Sequence, residues 1–304
     1  MKNLKFSILV FLILCNSSLA FACDVCGCGM GGQYFGILPQ FQRHFIGLRY
    51  QQRSFTSTHP ALFQYDKPSV STDLYDRVEL WGRYALSNRF QVFGFLPYQI
   101  STQSGEKETR IKGFSDPWFM VNWFIINTGD SLEHTWKHAL ILGAGAKLPI
   151  GQQLKGSSEN PTPTQLQPGS GSLDFPLHLS YTLRRNKLGL NLESNVRINT
   201  ENSDQYRFGH RVNSAARIFL WQRWNRFSIL PSLGLAYEWA EKDAQKEKPV
   251  EMTGGELVAA HFGLDVYFRS YMVQTQWQPS IKNKLGDGNV IPKTRIQIGM
   301  SYLF

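Results

Sequence analysis

Three cysteines fall within six residues near the N-terminus, in A-F-A-C-D-V-C-G-C-G-M-G-G at 20–32. Thiolates at Cys23, Cys26 and Cys28 would suit a soft ion such as Cu(I) or Zn(II). A C-x-x-C-x-C run without a fourth ligand is nevertheless a weaker signal than two separated pairs. In an oxidising compartment a disulfide from Cys23 to Cys26 or Cys28 competes with metal, and lipidation at Cys23 is a third use. Serine–histidine chemistry is the next to look for. His210 and Ser214 share a face, but four residues of strand separate them by about 13 Å. His178 and His261 have no serine that sequence alone places beside them, and no G-x-S-x-G occurs. Nucleophilic catalysis needs a base hydrogen-bonded to the nucleophile. The chain is therefore expected not to be an enzyme; a lipid-modifying enzyme and a metal-handling protein stay as alternatives.

Which of these chemistries can operate depends on the elements that hold the residues. Residues 1–22 have the form of an export signal, with Lys2 and Lys5, an apolar run at 6–14 and the small-x-small site Ala20-Phe21-Ala22. Beyond them apolar residues recur with period two, the signature of strands. Leu188, Leu190, Leu192, Val196 and Ile198 alternate with Gly189, Asn191, Glu193, Asn195 and Arg197. About twelve such segments follow, at 40–54, 74–86, 89–101, 114–127, 138–150, 172–184, 188–199, 206–221, 226–239, 255–268, 271–282 and 293–304. Their length suits tilted strands crossing a bilayer, which need about 9–11 residues. Short links alternate with longer polar ones at 55–73, 102–113, 151–171, 240–254 and 283–292, as in barrels with tight periplasmic turns and longer outer loops. Aromatics make up 13% of the chain. Tyr50, Trp81, Tyr84, Tyr98, Trp118, Trp123, Tyr181, Tyr206, Trp221, Trp224, Tyr237, Trp239, Tyr267, Tyr271 and Tyr302 are expected in interface girdles.

The C-terminus points the same way. Ile296, Ile298, Met300, Tyr302 and Phe304 alternate with Arg295, Gln297, Gly299 and Ser301, resembling the signal by which bacterial barrel-assembly machinery takes up its substrates. The expectation is an all-β fold: a transmembrane antiparallel up-and-down β-barrel of about 12 strands over 40–304, set among outer-membrane lipids. A Cys/Gly-rich periplasmic segment at 23–39 would precede it.

If the apolar face meets lipid, the other parity lines the lumen. It carries Arg49, Arg77, Arg83, Lys147, Arg184, Arg197, Arg207, Arg211, Arg217, Arg226 and Arg295 against Glu79, Asp174, Glu193, Glu238 and Asp265, with His178 and His261. His210 is the exception, on the lipid side. Two readings of this lining stay open. The charges either pair off and fill a narrow barrel, or their positive excess favours anionic or carboxylate-bearing solutes passing through. The formal charge of +9 is dispersed rather than gathered into a stripe, which sets nucleic-acid binding aside.

Three segments carry a family likeness: Gly113-Phe114-Ser115-Asp116, 143–151 (G-A-G-A-K-L-P-I-G) and 166–174 (L-Q-P-G-S-G-S-L-D). Together they resemble the outer-membrane transporter family associated with the MetA pathway of phenol degradation. The resemblance implies a monomeric-type outer-membrane barrel that passes small solutes, and it carries over no catalytic residues. Gly143, Gly145 and Gly151 would also permit close approach of a neighbouring strand, and an ion pair between Lys147 and Asp174 is expected.

Overall fold

The computed structural model describes residues 44–59, 68–105, 108–128, 135–154, 163–225 and 227–304. The leader and the cysteine segment lie outside them, as does Arg226. Twelve strands form one antiparallel barrel: β1 Phe45–His59, β2 Ser69–Ala85, β3 Phe90–Ser104, β4 in two pieces at Thr109–Phe114 and Trp118–Asn127, β5 Trp136–Lys147, β6 Phe175–Arg185, β7 Leu188–Ile198, β8 Arg211–Leu220, β9 Phe227–Ala240, β10 Gly255–Phe268, β11 in two pieces at Tyr271–Trp277 and Ser280–Leu285, and β12 Val290–Leu303. Each strand pairs with its neighbours in sequence, and β1 meets β12 at Phe45 and Leu303 to close the sheet. Closure leaves no row of unmet backbone donors and acceptors facing hydrocarbon, the condition for crossing a membrane with strands.

Period-two patterning sets the two faces. On β12, Ile296, Ile298, Met300 and Tyr302 point outward and are exposed, while Arg295, Gln297, Ser301 and Leu303 are buried inside. The outward face of the other strands is likewise apolar, with Leu48, Leu80, Leu96, Val121, Leu179, Leu192, Leu233 and Leu264 all exposed. A continuous belt of this size is far beyond what a water-facing monomer carries, and it is the lipid surface of a transmembrane barrel. Tyr50, Tyr84, Trp123, Tyr237, Trp239, Tyr271 and Tyr302 are exposed on that outer face.

The structure corrects several expectations. Trp81, Trp118, Tyr206 and Trp221 are buried instead of joining an interface girdle. Trp81 shares strand parity with Glu79 and Arg83, so a lumenal position for those two requires one for the tryptophan as well. Of the loop expected at 55–73, the described ends 55–59 and 69–73 are strand. Phe55 and Ser57 point inward on β1, and Ser57 Oγ donates to Asp73 Oδ2 at 2.6 Å. Lipid thickness sets the minimum length of a strand, but the hydrogen-bonded ladder is free to continue into water.

The segment 206–221 is not one strand either. Tyr206–Arg207 pairs with Ala244–Gln245, which pairs with Lys248–Pro249, making a small three-stranded sheet beyond the barrel. That break removes His210 from the lipid face. In β4, the interruption at Ser115–Asp116–Pro117 puts two consecutive residues inside and flips the parity. Met120 and Phe124 are then buried while Phe119, Val121 and Trp123 face outward, which accounts for a stretch that is apolar on both faces.

Candidate functional site in the barrel lumen

The lumen has three levels, stacked from the end that carries the strand termini (Phe45 and Leu303, with the tight turns) to the end that carries the longer loops. At the turn end it is packed with rings. Phe45, Trp81, Phe93, Phe95, Trp118, Met120, Met272 and Leu303 form one buried cluster. Phe95 and Trp118 stack at 3.7 Å with an interplanar angle of 4°, and the Arg83 guanidinium lies 5.1 Å from the Phe45 ring.

Above the rings sit buried ion pairs. Arg49 bonds Glu79, Arg295 bonds Glu238, and Arg217 Nη1 lies 2.5 Å from Glu193 Oε2. All six side chains are almost wholly shielded from solvent. Charges this deep persist only when partnered. The Arg49 guanidinium also sits 4.7 Å from the Trp81 ring, joining this level to the one below.

At the loop end, chain from the β5–β6 connection turns back into the barrel mouth. Residues Thr164–Leu166 form a single 3₁₀ turn, and Leu166 is fully buried. It packs among Phe55, Tyr75, Ile111, Ala240, Leu257, Leu285 and Val290, which come from seven different strands. One leucine thus touches residues from around most of the mouth, and burying it contributes about 1.5–3 kcal/mol.

Asp116, turned inward by the break in β4, anchors the returning chain. Its carboxylate accepts from Gly151 N at 2.9 Å and from Ser170 N and Oγ at 2.7 Å each, with Lys147 Nζ 3.2 Å away. The expected Lys147–Asp174 ion pair is present, and Lys147 also bonds Ser170 Oγ. Asp174 Oδ1 accepts from Ser172 Oγ at 2.9 Å and Thr200 N at 3.1 Å. A Cβ added at Gly169 would meet Gly151 Cα at 2.9 Å, so the two glycines allow the outgoing and returning chains to touch. The three segments that resemble the transporter family therefore converge on a single knot, at Asp116, Lys147, Gly151, Ser170 and Asp174.

Between this segment and the barrel wall lies a cavity of about 110 Å³. Of the residues that sequence placed in the lumen, Arg77, Lys147, Asp174, Arg197 and Arg211 line it together, joined by Arg53, Asp116 and Trp118. Glu79 and Glu193 belong to the ion pairs. His178, His261 and Asp265 are buried elsewhere in the wall, and Arg83 belongs to the turn end. Arg207 is outside the lumen. It lies at the loop-end rim, where Nη1 bonds Glu241 Oε2 at 2.9 Å and holds that carboxyl below its ordinary pKa. Arg53 was legible from its parity with Arg49, whereas Asp116 gave no parity signal because the strand breaks beside it.

Ser232 Oγ lies 3.3 Å from His261 Nε2, a pairing between strands that no sequence spacing reveals. Gln278 Nε2, a donor, approaches Nδ1 at 3.5 Å. His178 Nδ1 meets Asn195 Oδ1 at 2.8 Å as a hydrogen-bonded wall residue. Among the described residues no group of three His, Cys, Asp or Glu is placed to hold a metal ion.

No protein-family model matches the chain, and no curated protein matches its sequence. Solved structures do match. An outer-membrane channel from Pseudomonas putida F1 superposes with a TM-score of 0.63 at 14% identity, covering 88% of this chain and 100% of that one. The β-domain of the Bordetella autotransporter BrkA reaches 0.50 at 11% identity, covering 86% and 100%. At these identities the likeness is one of fold, that of a closed transmembrane β-barrel.

Proposed function

We propose that this chain is an outer-membrane channel that passes small solutes by diffusion through its lumen, with the segment folded into the mouth as its restriction. The tight turns and both strand termini would face the periplasm and the longer loops the outside, the usual arrangement of such barrels. The observation that carries this reading is the polar cavity beneath Leu166, inside a closed barrel belted with apolar residues. A barrel kept only as a membrane-spanning scaffold has no use for a chamber lined by charged side chains beneath a folded-in loop. The fold of the P. putida channel supports the reading, and the knot at Asp116 and Lys147 supports kinship with the phenol-degradation-type transporters. The alternating β12 and its terminal Phe304 support uptake by the barrel-assembly machinery.

The test is conductance in planar bilayers. Replacing residues 152–171 by a short glycine–serine linker is expected to raise single-channel conductance several-fold over the native barrel. Lys147→Met, which strips Asp116 and Asp174 of their cation, is expected to raise it partway and to expose 163–171 to protease. A loop-deleted barrel that inserts yet conducts no better than bare lipid, and swells no liposomes with small sugars or organic acids, would sink the channel.

A further inference from the structure

We propose that Lys282, Lys284 and Lys293, on the outer wall at the loop end, dock the phosphate groups of a phosphorylated glycolipid in the surrounding leaflet. The proposal rests on the orientation given above, with the longer loops outside, and not on any passage through the lumen. The three lysines lie on neighbouring strands, two on the second piece of β11 and one on β12. Lys282 and Lys284 are register partners of Val258 and Glu256 on β10. Leu257 and Ala259 of β10 are buried inside, so Val258 and Glu256 face outward, and the two lysines with them. On β12, Pro292 is buried and pairs with the inward Phe55, which turns Lys293 outward. All three lysines are exposed.

Their height along the wall matters as much as their charge. Trp277 and Ile296 are partners at the end of the first piece of β11, and both are exposed on the apolar belt. Toward the loop end the outward side chains that follow include Ile281, Ile291 and the three lysines. A ring followed by cations marks the headgroup zone, where lysine stems lie along apolar surface and the ammonium groups reach polar headgroups. At that height the wall is also weakly tied. The second piece of β11 meets β12 at one register pair, Leu285 with Val290, against seven for the first piece.

Like charges on facing strands repel, and the acids of this rim are engaged elsewhere. Lys242 bonds Glu251 at 2.6 Å and Asp287 at 2.9 Å, and Glu256 accepts from Tyr237 Oη at 3.4 Å. An anion held among the three lysines removes their repulsion and supplies the cross-strand tie that the ladder lacks. Ile281 and Ile291 beside them suit acyl chains, which points to a lipid-anchored anion over a free one. A phosphate monoester carries close to two charges at neutral pH, so a glycolipid with two of them answers three lysines better than a phosphodiester lipid does.

The purified barrel in detergent micelles, with EDTA present to exclude bridging metal, is titrated with bisphosphorylated lipid A. Native mass spectrometry is expected to show the lipid retained, and thermal melts a melting temperature raised by several degrees. The Lys282→Gln/Lys284→Gln/Lys293→Gln variant is expected to bind about tenfold more weakly or worse, since each basic side chain near an anionic lipid counts several-fold. The matching triple arginine variant should keep the binding, and Lys187→Gln, at the turn end, should behave as the native barrel. In lipid-free micelles the triple glutamine variant should melt no lower than the native barrel, which separates lost binding from lost fold. Dephosphorylated lipid A should bind far more weakly, and inorganic phosphate should not displace the lipid. Unchanged binding in the triple glutamine variant, equal binding of the dephosphorylated lipid, displacement by inorganic phosphate, or preference for phosphatidylglycerol overturns the surface. Lipid binding in a barrel that conducts nothing leaves the surface standing and removes only the channel.

Discussion

The turn end of the lumen is filled by stacked rings, and the loop end by charge arranged around one inserted segment. Both ends occupy a cylinder between the eight strands whose interior side chains just fill and the sixteen or more that leave an open aqueous channel. At the turn end the residues that do so come from the walls themselves, with Trp81, Phe93, Phe95 and Trp118 on adjacent strands. Stacked rings leave little room and few donors for a polar solute. At the loop end, by contrast, the wall supplies arginines and the occupant, Leu166 with its flanking polar residues, arrives on a loop. A loop held by an aspartate and a lysine is displaceable, whereas a wall of packed rings is not. The difference teaches how one lumen is filled in two ways, by its own wall at one end and by a returning loop at the other.

The largest expected effect breaks the middle level, where the two regions meet. Glu79→Ala leaves Arg49 buried without its carboxylate and is expected to destabilise the barrel by about 3–5 kcal/mol in urea unfolding from micelles. Arg211→Gln, one level up and only half-buried, is expected to cost far less. Equal losses from the two would erase the distinction between the sealed middle level and the half-open loop end. Next in size, Trp118→Ala removes the ring stacked on Phe95 and opens the floor of the chamber. The same unfolding measurement should show a loss of about 3 kcal/mol, typical of an emptied aromatic site, together with higher conductance.

The smallest effect lies outside the membrane. Lys242 donates to Glu251 at 2.6 Å and to Asp287 at 2.9 Å. The Lys242 hydrogen bond, ahead of partial burial, holds the Asp287 carboxyl below its ordinary pKa. A carboxyl lowered on folding stabilises above its unfolded pKa, near 3.9, and the contribution is lost as pH falls through the lower folded value. For so exposed a group the loss should stay under about 1 kcal/mol, and salt should shrink it. Lys242→Gln should remove this acid-side slope in thermal melts. A slope that persists in this variant would assign it to another carboxyl.

Much of the barrel was legible because a two-residue period is a local property of the chain. β6, β7 and β12 sit close to where alternation puts them, and the inward parity of Arg77, Glu79, Glu193 and Arg197 follows from counting. Legibility ended where the period was broken by backbone, as at Ser115–Asp116–Pro117 and at 208–210. Past those points Arg207 and His210 left the faces that counting assigned to them. The girdle expectation failed at Trp81 for another reason: ring type suggested an interface, but strand parity is the stronger constraint.

The sequence by itself determined the class of fold, a barrel of about twelve strands and, wherever the alternation is unbroken, which residues face inward, because hydrophobic alternation and chain-end pattern are written residue by residue. The third dimension decided which lumenal charges meet. Arg49 with Glu79, Arg217 with Glu193 and Arg295 with Glu238 pair across strands at separations of 30, 24 and 57 residues. Register, not spacing, sets such partners. It also decided that 166–174 returns into the mouth, since only the closed cylinder brings Asp116, Lys147 and Asp174 around one serine and leaves four arginines facing a shared space.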